Sequence, residues 1–254
     1  MKAYNKDTLT AIANVSPAEL ERIVREVDKY EGDFSNKLIC LRRNSTGDYY
    51  ATILSRFVAE KLFNAQAFAN VNEKRRLLRL FTAVPQMRAA RGWLFEAYAH
   101  NRFSSSSDIA GGITVYPLAP VPDASEKYRV DLDSPITSLP FPLVHREVRV
   151  CNKSSDFLDN PATQTYHMPS AKNNTGFDSF LITEAEAYIF QMTVTSAHAA
   201  DTGSQKGLRL LEKMLPDVPW HYVLVVPDKH SVTLTSVSKK WVDAVASFLW
   251  LVLE

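Results

Sequence analysis

The chain has 254 residues, is 46% hydrophobic and 22% charged, and carries a formal net charge of +1. That is long enough to bury a core without staples. Cys40 and Cys151 are too few for a disulfide framework and too isolated for a zinc site, so free thiols are expected. The first residues lack the basic start and continuous apolar run of a secretory leader. The longest apolar stretch, 241–253, is too short to span a bilayer and is broken by Asp243 and Ser247, so a soluble chain is expected.

Charge is unevenly spread. Residues 1–110 hold 17 Lys/Arg against 12 Asp/Glu, and the remainder 12 against 16. Part of the basic excess is Lys74-Arg75-Arg76 with Arg79. Such a run reads either as a patch for phosphate backbones or as a solvated helix face, the commoner meaning of a short charge run.

In chain order, Ser16-Pro17-Ala18-Glu19 is a capping box with Pro at the first helical position, and Leu20, Ile23, Val24 and Val27 follow at helical spacing. A helix is predicted there to about residue 29. Further helices are predicted over 49–63, 70–84 (stopped by Pro85) and 86–102. After Ser104–Ser107 and Gly111-Gly112, β-branched and aromatic residues take over. Strands are predicted over 113–118 and 144–150, separated by a Pro-rich segment read as surface loop. A hairpin follows over 177–182 and 188–194, then a helix over 203–215, a strand over 220–226 and a last helix over 238–253. From residue 86 onward this order predicts a mixed sheet flanked by helices, an α/β arrangement. The implied boundary lies between a helical segment, 1–85, and an α/β domain, 86–254.

The hairpin is the most informative stretch. Asp178 opens one strand between Phe177 and Phe180, while Gln191 and Thr193 share one face of the other strand. Polar groups at alternate positions of a buried strand need partners, so the placement points to a site. Asp178 also reads as a strand-edge residue capping a turn, Glu96 as an ordinary helix-face carboxylate, and His198 as a strand-end hydrogen-bonding group. His167, His221 and His230 read as surface or loop residues. Trp93, Phe95, Trp241 and Trp250 read as core.

Glu96 in Gly92-Trp93-Leu94-Phe95-Glu96, Asp178 in Phe177-Asp178-Ser179-Phe180, and Gln191-Met192-Thr193 stand in the order of the PD-(D/E)xK nuclease core, which this segment resembles. More specifically, the chain resembles the Crinkler and retrotransposon-hot-spot effector families, which include fungal, oomycete and trypanosomatid members. Tyr166-His167-Met168-Pro169 leading to Asn173 or Asn174, Phe190-Gln191-Met192-Thr193-Val194 with His198, and Gly207-Leu208 carry that likeness. Residues 50–62, with Ser55-Arg56-Phe57-Val58, are similar to the tail of the P-loop ATPase module that precedes the nuclease-like domain in those families. Their phosphate-binding loop is missing here, since Gly203-Ser204-Gln205-Lys206-Gly207 has the wrong spacing.

The resemblance implies a restriction-endonuclease-like mixed sheet and a nuclease-superfamily domain acting in a nucleus or in a host. It implies Mg²⁺ held by Asp178, Glu96 and Gln191, with Lys206 or Lys172 as electrostatic helper and His198 as accessory base or ligand. Gln191 departs from the acidic pattern and offers an amide oxygen without charge. Thr193 stands in the lysine position and cannot supply a cation. The rival expectation is a catalytically inactive nuclease fold that binds protein or nucleic acid. No membrane partner is expected.

Overall fold

The computed structural model describes residues 2–26, 35–43, 45–47, 49–65, 70–84, 87–104, 113–124, 126–136, 147–151, 163–169, 177–199, 209, 213, 217–228, 232–237 and 239–253. The chain divides into two compact units, Met1–Tyr98 and Ala99–Glu254. None of the described helices is long and apolar enough to cross a membrane.

The first unit holds helices α1 (Lys2–Asn14), α2 (Pro17–Arg25) and α3 (Ser35–Leu38), a hairpin of β1 (Ile39–Arg43) and β2 (Tyr49–Ile53), then α4 (Arg56–Phe63), α5 (Val71–Ala83) and the start of α6 (Arg88–Ser104). Local chemistry sets the helix starts. Ser16 Oγ accepts the Glu19 N–H at 3.1 Å, and Asn70 Oδ1 accepts the Glu73 N–H at 2.8 Å. Leu20, Ile23 and Val24 bury one face of α2. The helix predicted over 49–63 is corrected here: only its second half is helical. Tyr49-Tyr50-Ala51-Thr52-Ile53 is β-branched and aromatic enough to pair with β1. Gly47 at φ 97° makes the turn between the two strands. Ser55 then caps α4 by accepting the Val58 N–H.

Among the described residues, the second unit is built on a ten-stranded mixed sheet in the order β5-β6-β7-β8-β10-β12-β3-β4-β11-β9. The strands are β3 (Ile113–Pro120), β4 (Tyr128–Val130), β5 (Glu147–Cys151), β6 (Thr165–Pro169), β7 (Ser179–Ile182), β8 (Ala187–Met192), β9 (Ala197–Ala199), β10 (Trp220–Val226), β11 (Thr233–Thr235) and β12 (Ser247–Leu253). Strands β8, β10 and β12 are parallel neighbours, and the β7–β8 hairpin is antiparallel. The chain is thus a mixed α/β protein with a large sheet and several helices.

The final helix predicted over 238–253 is also corrected. A short helix α7 (Lys239–Ala244) is followed by β12, which lies between β10 and β3. Parallel strands covered on both faces read as unbroken apolar runs, which periodicity cannot tell from a buried helix segment. Phe248 through Leu253 are all buried. The Pro-rich segment is less of a loop than predicted. Strand β3 runs on to Pro120, β4 pairs back against it, and Ile136 bridges to Val115. The helix predicted over 203–215 lies outside the described residues apart from isolated positions.

Alternation divides the core. Phe180, Ile189, Tyr222, Leu224, Trp250 and Val252 pack on one face of the sheet. Strand positions of the other parity carry Tyr166 and Phe190, and the last turns of α6 bring Phe103 against them at 5.7 and 4.7 Å between ring centroids.

Candidate functional site

Asp178 lies one residue before β7. Its N–H donates to the Phe190 carbonyl at 2.9 Å, extending the hairpin ladder. Because Ser179 pairs with Phe190, the register sets Asp178 opposite Gln191. Gln191 Nε2 donates to Asp178 Oδ2 at 2.7 Å, and the Met192 N–H donates to the same oxygen at 2.6 Å. Hydrogen bonds to an ionised acceptor are short and strong. The structure therefore brings together two of the residues that the sequence singles out.

Thr193 continues the β8 line, its N–H donating to the Val225 carbonyl at 2.9 Å. Its buried hydroxyl meets the Thr195 hydroxyl at 2.9 Å and accepts the Thr195 N–H at 3.2 Å, while Thr195 Oγ1 donates to the Ala197 carbonyl at 2.7 Å. These bonds turn the chain from β8 into β9. His198 sits on β9 in register with Leu234, and its carbonyl accepts the Thr235 hydroxyl at 3.3 Å.

Glu96 is carried by α6 and belongs to the first unit. Its carboxylate accepts from Arg56, which also donates from Nε to Glu60 at 2.7 Å. Burial alone would lower the Arg56 pKa; the bonds and charges of Glu60 and Glu96 outweigh it and raise the value. Lys172 and Lys206, the expected helpers, lie outside the described residues, as does His230. Among the described residues no three His, Cys, Asp or Glu side chains gather as a metal site.

Two polar groups leave no signal in the sequence. Tyr166, fully buried, donates to Ser179 Oγ at 2.7 Å and lies 2.8 Å from Nδ1 of His100. At the other end of the hairpin, Tyr188, His221 and Ser247 occupy register-matched positions of β8, β10 and β12. His221 Nδ1 lies 2.7 Å from Ser247 Oγ, and its ring stacks on Tyr188 at 4.9 Å. Its Nε2 is 3.7 Å from Glu186 Oε1, beyond hydrogen-bonding range, while Glu186 accepts from the Tyr188 hydroxyl. Burial lowers the His221 pKa, with Glu186 partly opposing the shift; burial and Glu186 together raise that of Tyr188.

The surface reading of His221 and His167 is therefore corrected. His221 is only 14% exposed, and His167 is buried and stacked on Phe180 at 4.6 Å. A strand sequence shows which residues share a face, but only the register shows which meet across strands. Phe95 and Trp250 are core residues, as expected. In the basic run, Arg76 is ion-paired to Glu21 at 2.9 Å and Lys74 lies 4.5 Å over the Phe63 ring. Comparison of the chain with family models, curated proteins and solved structures finds no match.

Proposed function

We propose that the chain is a nucleic-acid-binding module built on a restriction-endonuclease-like scaffold of Crinkler type, in which the hydrolytic centre is no longer armed. The observation that carries this reading is the state of Asp178. Its Oδ2 accepts two N–H groups, one from the Gln191 amide that stands in a carboxylate's place.

A catalytic magnesium needs hard anionic oxygens. Asp178 and Gln191 offer one charge between them, and the Glu96 carboxylate is engaged by Arg56, which it shares with Glu60. The hydroxyl of Thr193, where a lysine would neutralise developing charge, is committed to Thr195. The donor set does not fit a catalytic magnesium. Nucleic acid as the partner follows from the resemblance, together with the basic excess of residues 1–110.

A second reading, Mg²⁺-dependent cleavage with Asp178, Gln191 and Glu96 as ligands, draws support from the direct opposition of Asp178 and Gln191 across the hairpin. Plasmid nicking with Mg²⁺ or Mn²⁺ separates the two, run beside anisotropy measurements of nucleic-acid binding. The module reading expects binding that weakens with salt and no nicking by the native chain or by Asp178→Ala. Nicking by the native chain that Asp178→Ala abolishes would establish the second reading.

A further inference from the structure

The β1–β2 hairpin changes character along its length. At its base Ile39, Ala51 and Ile53 are buried, on a face that Leu41, Arg43 and Tyr49 share farther out. Toward the turn those three and Arg42 are all exposed. Tyr49 at 65% and Leu41 at 56% are the two most exposed large apolar side chains among the described residues. The two are diagonal neighbours on one face of the hairpin, close enough to form a single contact surface.

The described part of the tip is held by Arg43 and is basic. Arg43 Nε donates to the Gly47 carbonyl at 2.7 Å, and its guanidinium lies 5.7 Å over the Tyr49 ring. Gly47 holds φ 97°, a backbone region that a side chain would strain. Over 37–53 the charged residues are Lys37, Arg42 and Arg43 against Asp48 alone.

We infer that this hairpin is a ribbon that enters a groove of double-stranded DNA. Arg42 and Arg43 would meet the phosphates, and Tyr49 and Leu41 the sugar and base edges. The major groove of B-form DNA admits a two-stranded β-ribbon. Guanidinium groups position a protein on phosphates, while apolar and aromatic side chains make the contacts that salt does not screen. The inference rests on the proposed nucleic-acid-binding function and names the surface and the form of the partner.

The test is fluorescence anisotropy of the full chain with a short labelled DNA duplex, titrated at several salt concentrations. Single-stranded RNA and poly-glutamate serve as parallel probes. An Arg42→Ala/Arg43→Ala variant is expected to bind the duplex at least about tenfold more weakly. Its slope of log affinity against log salt should be shallower by about two, one for each phosphate left without its arginine. Tyr49→Ser is expected to weaken binding without changing that slope. Because Arg43 also donates to the Gly47 carbonyl, Arg42→Ala alone serves as the second arginine variant: with circular dichroism matching the native chain, it is expected to make the slope shallower by about one.

Native binding to the duplex with all three variants unchanged would overturn the hairpin inference and leave the proposed function standing. So would native binding to single-stranded RNA alone. Equally strong, equally hairpin-dependent binding of poly-glutamate would overturn it in favour of an acidic protein partner. A native chain that binds no nucleic acid would remove both.

Discussion

The two ends of strand β8 hold two polar clusters of different kinds. At the outgoing end, one carboxylate, Asp178, is satisfied by an amide and a backbone N–H within a single hairpin. At the incoming end, Tyr188, His221 and Ser247 form a row across three strands, with Glu186 at its edge. The first cluster is local and depends on charge held by hydrogen bonds. The second is assembled by crossovers and depends on the protonation state of a partly buried imidazole. A hydrogen-bonded carboxylate and a partly buried imidazole thus lie at opposite ends of one strand and belong to separate groups.

The largest expected effect comes from breaking the sheet on which the incoming cluster depends. Trp250 is fully buried in β12, three residues beyond Ser247. Trp250→Ala is expected to cost about 3–5 kcal/mol in urea denaturation, the range for emptying a large aromatic site. A loss near zero would mean that β12 is not a central strand.

Next in size is Asp178→Ala. Removing the acceptor leaves the Gln191 amide and the Met192 N–H without it, at a cost of about 1–3 kcal/mol. The sign is the informative part. A carboxylate kept for a metal and strained in its absence would give a more stable protein when removed, and thermal unfolding without added metal reads the difference.

The incoming end should respond to pH instead. His221 has a lowered folded pKa, so the unfolded chain takes up its proton first. The stability associated with neutral His221 is fully present above about pH 6.5, the ordinary histidine value. It is lost as pH falls from there through the lower folded value. Glu186 is the charged group beside the ring, and Tyr188 stays protonated throughout that range. Melting temperature should fall on acidification less steeply in His221→Gln than in the native chain.

The smallest expected effect is a gain of metal response. Gln191→Glu sets a second carboxylate opposite Asp178, replacing an attractive contact by repulsion between like charges. The variant should melt slightly lower than the native chain without metal and recover with millimolar Mg²⁺, whereas the native melting temperature should be insensitive to Mg²⁺. Scanning calorimetry with and without the ion checks both.

Much of this architecture is legible in the residues alone. Ser16 announces a helix start through a short-range hydrogen bond, and the β7–β8 hairpin declares itself by two apolar runs around a short polar turn. Asp178 and Gln191 stand out because they are strand neighbours separated by one hairpin. Residues 49–53 and 247–253 mislead because aromatic and aliphatic runs satisfy helical spacing as readily as a strand's. The row through His221 leaves no pattern, since its members are spread from 186 to 247 along the chain.

By itself, then, the sequence determined the elements whose causes lie within a few residues: caps, turns and the hairpin that carries Asp178 and Gln191. Tertiary structure decided which apolar run becomes the central strand and which histidine meets which hydroxyl. It also left Leu41 and Tyr49 at the tip of a ribbon. The reason is physical: propensity and capping act over one turn of chain, whereas burial and register are properties of neighbours that only folding brings together.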